Sequence, residues 1–126
     1  MSSDDAKPTI LLVEDEFLIR LSLSETLLDE GFEVIEAQTA ADAVPILRSD
    51  APIAVLLTDI QLGGDQDGLQ LARIAREERP ELPVIYMTGR PRSEEPGRHS
   101  PRESFIAKPF LPSELAALAR RMITGG

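Results

Sequence analysis

Three acidic residues, a threonine and a lysine stand at or just past the ends of short apolar runs: Glu14 and Asp15 after TILLV, Asp59 after IAVLLT, Thr88 after PVIYM and Lys108 after FIA. Each type has a task if these positions meet. Adjacent carboxylates repel one another unless a hard, oxygen-seeking cation such as Mg²⁺ sits between them. Magnesium keeps several waters and accepts phosphate oxygens. One carboxylate can then act as nucleophile toward a phosphoryl group while the cation neutralises the developing charge. Lys108 and Thr88 would supply the remaining charge and hydrogen bond to phosphoryl oxygens. Lys7 and Lys108 are the two lysines among 13 basic residues, which marks Lys108 as a compact point charge in a chain that otherwise uses arginine. Taken singly, each position also has a plain reading. Glu14-Asp15 suits the start of a helix, Asp59 the cap of a turn, and Thr88 and Lys108-Pro109 ordinary loops. Their joint placement at successive run ends is what points to a site.

Positioning those ends requires a parallel sheet. Short β-rich runs alternate with segments of helical character, the rhythm of βα units. The expected strands are Thr9 to Val13, Glu33 to Ala37, Ile53 to Thr58, Pro83 to Met87 and Phe105 to Ala107. The first and third are apolar throughout, as strands covered on both faces must be. In such sheets ligands gather at the carboxyl ends of the strands, where all five residues lie.

Helices are expected in the gaps. Glu16 to Glu30 offers Phe17, Leu21 and Leu28 as its apolar stripe and stops at Gly31, suited to a left-handed C-cap. Thr39 to Ser49 opens on Thr39 as N-cap and carries Pro45, which predicts a short or kinked helix. Leu69 to Glu78 follows Asp67-Gly68. The last helix runs from Pro112 through Leu115, Leu118, Ala119 and Met122. Between Gly89 and Ser104 the chain reads GRPRSEEPGRHSPRES, with three prolines and no apolar side chain. A packed fourth helix there has nothing to bury, so residues 90–104 are expected to be mobile and to present arginines (Arg90, Arg92, Arg98, Arg102) to partners. His99, the sole histidine, falls in this stretch and reads as a solvated surface residue.

Composition bounds the function. With 42% hydrophobic and 28% charged residues the chain can bury a core. Residues 1–8 are expected as a flexible tail and 9–124 as one domain, with no effector domain. Twenty-two acids against 13 bases give a net charge of −9, which repels phosphate backbones and anionic membranes. Autonomous nucleic-acid binding is disfavoured. No apolar run reaches membrane-spanning length and the N-terminus lacks signal-peptide character, so a soluble cytoplasmic protein is expected. With no cysteine there is no disulfide framework and no thiolate chemistry.

The ordered set ED, LLTDI, YMTG and FIAKPF resembles the receiver domain of two-component response regulators over Thr9 to Met122. The resemblance implies a doubly wound (βα)5, CheY-like sheet of flavodoxin-like order 2-1-3-4-5, with the fourth helix weak or absent here. It casts Asp59 as phosphoacceptor, Glu14, Asp15 and Asp59 as Mg²⁺ ligands, and Gln61 as a further ligand through its backbone carbonyl. Thr88 matches the hydroxyl that moves toward the phosphoryl group, Lys108 the lysine before proline, and Phe105 the switch aromatic. A cis peptide at Lys108-Pro109 is implied too. The donor would be a histidine kinase or histidine phosphotransfer protein. Output would pass through phosphorylation-dependent contacts with a downstream protein, from a monomer or a phosphorylation-dependent dimer. Chemistry would be limited to self-catalysed aspartyl phosphotransfer and autodephosphorylation. Thr88-Gly89-Arg90 is similar to the stand-alone, single-domain receivers of alphaproteobacterial type. Leu62-Gly63-Gly64 departs from the usual methionine-proline, and the segment from Asp59 to Asp67-Gly68 is one residue longer than usual. Two alternatives stay in view: a small phosphohydrolase of haloacid-dehalogenase type, whose second aspartate would fall where Gln61 stands, and an unphosphorylated pseudo-receiver scaffold.

Overall fold

Five parallel strands form one sheet in the order β2-β1-β3-β4-β5. In this computed structural model residues 7–62, 66–89 and 102–124 are described. The strands are β1 (Thr9–Val13), β2 (Glu33–Ala37), β3 (Val55–Asp59), β4 (Val84–Thr88) and β5 (Glu103–Ala107). The helices are α1 (Phe17–Asp29), α2 (Ala40–Arg48), α3 (Gly68–Glu78) and α4 (Pro112–Thr124). The expected fold class and strand order hold. β3 and β4 are buried at every residue, as central strands covered on both faces must be.

Side-chain alternation sorts the core into two layers. Leu11, Val13, Leu56, Val84 and Tyr86 pack with the small and branched residues of α2 and α3. Ile10, Leu12, Val55, Leu57, Ile85 and Met87 face α1 and α4, where Leu23, Leu27, Leu115 and Ala119 meet them. Gly31, at φ +100°, closes the C-terminus of α1 in the conformation only glycine adopts freely. Thr39 Oγ1 accepts from Asp42 N (3.1 Å) to cap α2, which is nine residues long and carries Pro45 within it. Asp67 and Gln70 form a reciprocal capping box at α3.

Two expectations fail. The stripe Phe17, Leu21 and Leu28 on α1 is exposed, while Leu23, Ser24 and Leu27 are buried. The segment FLIRLSLSETLLD is apolar on more than one side, so spacing alone does not choose the face. Packing against β1 and β2 does. Glu103 and Ser104, expected within a mobile segment, instead belong to β5 and pair with Val84 and Ile85. Arg102 is not a free loop cation. It pairs with Glu81 (3.0 Å), and its carbonyl accepts from Val84 N (2.8 Å). The rest of that segment, with His99, Arg90, Arg92 and Arg98, lies outside the described residues, as do residues 63–65 and the tail before residue 7.

Candidate functional site

Register alone brings Glu14, Asp59, Thr88 and Lys108 to adjoining strand ends, with Asp15 next in the chain after Glu14. Val13 is the partner of Thr58, so the next residues, Glu14 and Asp59, are neighbours across β1 and β3. Asp59 pairs with Met87, which sets Thr88 one step beyond, and Thr88 pairs with Ala107, which sets Lys108 one step beyond that. Lys108 N donates to Thr88 O (2.7 Å) and Ile60 N to Met87 O (3.0 Å), extending the ladder past the strand ends. A crevice of about 500 Å³ opens at this edge. It is lined by Glu14, Asp15, Glu16, Asp59, Gln61 and Lys108, with Ile19, Leu62 and Gly89.

Asp59 is held at both carboxylate oxygens. Lys108 Nζ donates to Oδ2 at 2.6 Å, and Gln61 N donates to Oδ1 at 3.1 Å. Burial tends to lower the Lys108 ammonium's pKa, but the hydrogen bond and charge of Asp59 and the charge of Glu14 outweigh it and raise it above its ordinary value. Glu14 is 1% exposed. Its Oε2 accepts from Glu16 N (3.1 Å), whereas Oε1 is a buried oxygen with no hydrogen-bond partner, and Lys108 Nζ stands 3.7 Å from it. Burial pushes the Glu14 carboxyl up to about 7, with the Asp59 charge adding to the rise.

The donor set fits a divalent cation. One carboxylate oxygen from each of Glu14, Asp15 and Asp59 lies within 4.8 Å of the others. Three hard oxygens at that spacing, with a buried Glu14 oxygen left without a hydrogen-bond partner, suit Mg²⁺ when waters and phosphate complete its shell.

Thr88 ends β4 and is buried, and it is not among the residues lining the crevice; Gly89 beside it is. Phe105 lies away from the crevice on β5. Its ring stacks on Tyr86 at 4.6 Å between centroids and 25° between planes. Tyr86 OH in turn donates to Glu103 Oε2 (3.0 Å), and Arg76 forms an ion pair with the same carboxylate. The Lys108-Pro109 peptide is cis, as the resemblance implies.

Three contributors escaped the sequence reading. Glu16 lines the crevice. Gly68 lets α3 start against β3: a Cβ there would overlap the main-chain carbonyl of Asp59 and come within 2.9 Å of Ile60 Cα. Arg20 donates through Nη1 to the main-chain oxygen of Glu14 (2.7 Å). A signal for Arg20 existed, since it is the lone charge in the first two turns of α1.

The sequence matches the family model for the response regulator receiver domain over residues 10–120. The aerobic respiration control protein ArcA of Escherichia coli K12 is 36% identical over 119 residues, covering 93% of this chain and 49% of that protein. The response regulator MprA of Mycolicibacterium vanbaalenii is 33% identical over 116 residues, covering 90% of this chain and 49% of that protein. The chain thus spans about half the length of these curated relatives. A crystal structure of a response regulator receiver protein from Sinorhizobium medicae WSM419 superposes with a TM-score of 0.85 at 34% identity, covering 94% of this chain and 95% of that one. Among the described residues no helix is long and apolar enough to cross a membrane. With the family match running from β1 into α4 and a solved receiver superposing over nearly the whole chain, this chain belongs to the response regulator receiver domain family.

Proposed function

We propose that the domain accepts a phosphoryl group onto Asp59 from a phosphohistidine of a histidine kinase or histidine phosphotransfer protein, in the cytoplasm, and signals through contacts that depend on that modification. The observation that carries this reading is Asp59 itself: a carboxylate in an open crevice, flanked by two further acids and bonded at 2.6 Å to a lysine. An Asp59 oxygen attacks phosphorus, the P–N bond to the donor imidazole breaks, and the imidazole leaves with the bonding pair and takes up a proton. An acyl phosphate remains. Later attack by water on phosphorus returns the carboxylate and inorganic phosphate. Bound by Glu14, Asp15, Asp59 and the Gln61 carbonyl, Mg²⁺ would supply the charge neutralisation that phosphoryl oxygens require during transfer.

The chain's own residues do the rest. Lys108 holds Asp59 oriented before transfer and offers its ammonium to the phosphoryl oxygens afterwards. Thr88, at the buried end of β4, is the hydroxyl available to move toward the new group. Phe105, stacked on Tyr86 in the unmodified state, is the aromatic whose packing that movement would alter. The donor would approach over the first turn of α1, where Leu18 is 74% and Phe17 61% exposed. Ile19 and Lys108 line both the acid crevice and an adjoining apolar groove formed with Leu18, Leu23, Pro109 and Phe110. An amphipathic helix carrying the phosphohistidine suits that groove.

Incubation with acetyl phosphate and Mg²⁺ should add one phosphoryl mass to the protein. Asp59→Asn should abolish it, and chelation should suppress it. Undiminished labelling of the Asn variant would overturn the assignment. The phosphohydrolase alternative finds no support in the crevice, where Gln61 stands at the position its general acid would need.

A further inference from the structure

Two of the three acids that would hold the cation, Glu14 and Asp15, sit on neither strand nor helix. β1 stops at Val13 and α1 begins at Phe17, so Glu14, Asp15 and Glu16 form a three-residue turn carrying three carboxylates. Mutual repulsion favours splaying such a turn apart. Its main chain is tied down on one side by Glu14 N donating to Ala37 O (3.1 Å) on β2. The Glu14 carbonyl, which sets the plane of the Glu14–Asp15 peptide, is held by a side chain: Arg20 Nη1 donates to it at 2.7 Å.

That guanidinium is itself anchored. Arg20 Nε donates to Glu36 Oε1 (3.1 Å) on β2, and the guanidinium carbon lies 5.7 Å from the centroid of the Phe17 ring. The Arg20 side chain is 13% exposed and Glu36 39%, so the bond to the Glu14 carbonyl is the better shielded of the two from water. One planar fork thus links α1, the edge strand and the acid-bearing turn, which a lysine's single ammonium could not span with the same directionality.

We infer that Arg20 is a positioning residue for the divalent-cation pocket: by fixing the Glu14–Asp15 peptide it holds both carboxylates in ligand geometry, with Glu36 as its anchor. The inference rests on the proposed reading of these acids as cation ligands. Outer partners that orient ligands in this way typically set affinity by about 10–100-fold.

The test is calorimetric titration of the metal-free protein with MgCl₂, comparing wild type with Arg20→Gln, Arg20→Lys and Glu36→Gln. Arg20→Gln should weaken Mg²⁺ binding about ten-fold. Arg20→Lys should recover part of that loss, and Glu36→Gln, which touches no ligand, should show a smaller loss in the same direction. In acetyl phosphate labelling, the Mg²⁺ concentration for half-maximal rate should rise by the same factor while the rate at saturating Mg²⁺ stays near wild type. A merely structural role would lower the melting temperature and leave that split unmoved. Folded Arg20→Gln with wild-type Mg²⁺ affinity overturns the inference. Should that variant fail to fold, unchanged affinity in Glu36→Gln overturns it instead. Absence of Mg²⁺ binding by the wild type would remove the cation reading itself, and Arg20's role with it.

Discussion

Glu14 carries a conflict between stability and ligand chemistry. Its carboxyl ordinarily titrates at 4.5 and in the folded domain near 7, mainly through burial. Between those values the native state binds more protons than the unfolded chain, so stability falls as pH rises from 4.5 to 7 and levels off above. In chelator, Glu14→Gln should therefore melt higher than wild type at pH 7.5, by on the order of 3 kcal/mol, with the gain vanishing near pH 4.5. Calorimetric melts at both pH values check this. The same variant should lose most of its Mg²⁺-induced stabilisation. Lys108 is constrained differently, because its nitrogen serves Asp59 at 2.6 Å and faces Glu14 at 3.7 Å from a single point. Lys108→Arg keeps the charge but spreads it over a larger planar head. Acetyl phosphate labelling of that variant should slow several-fold, and an undiminished rate would show that charge alone suffices.

Elements meet at the site with little tolerance. The amide of Gly68 donates to Ile60 O (2.7 Å), which draws the start of α3 against the end of β3. Gly68→Ala forces its Cβ into the Asp59 main chain, so urea melts should show a loss of about 1–3 kcal/mol, and labelling of Asp59 should fall with it. Ordinary stability without that loss would mean the turn can shift freely. On the other side of Asp59, β5 is tied to β4 by side chains as well as by the ladder. Burial pushes the Tyr86 phenol up to about 12, with the charge of Glu103 adding to the rise, so Tyr86 stays a hydrogen-bond donor at any working pH. Tyr86→Phe keeps the stack on Phe105 but leaves the partly buried Glu103 carboxylate short of a donor. A destabilisation of about 1–2 kcal/mol is expected in denaturant melts.

At the scale of the whole molecule, a net charge of −9 coexists with an apolar rim on α1. Residues exposed on that rim add little to stability, so their substitution separates docking from chemistry. Leu18→Glu should change stability by less than about 0.5 kcal/mol. It should leave labelling by acetyl phosphate intact and slow transfer from a phosphorylated histidine protein at least several-fold. Equal slowing with both donors would place the defect in the crevice instead.

The sequence by itself determined the five strands to within two residues and the residues at their carboxyl ends, because apolar runs and the turns after them are local signals, whereas the order of the strands was what the resemblance carried by its motifs implied. Asp59, Glu14, Asp15, Thr88 and Lys108 were legible for that reason: each immediately follows or ends a run that must be buried. Tertiary structure decided which face of α1 packs inward, since a helix apolar on several sides carries no preference until a sheet is laid against it. It also decided that Glu103 and Ser104 extend β5, through pairing with β4 that a polar dipeptide does not announce. The contacts of Arg20 with Glu14 and Glu36, and of Gly68 with Asp59, join residues whose meeting depends on how helices seat on the sheet. A donor or a missing Cβ acquires its meaning only from the partner that folding delivers to it.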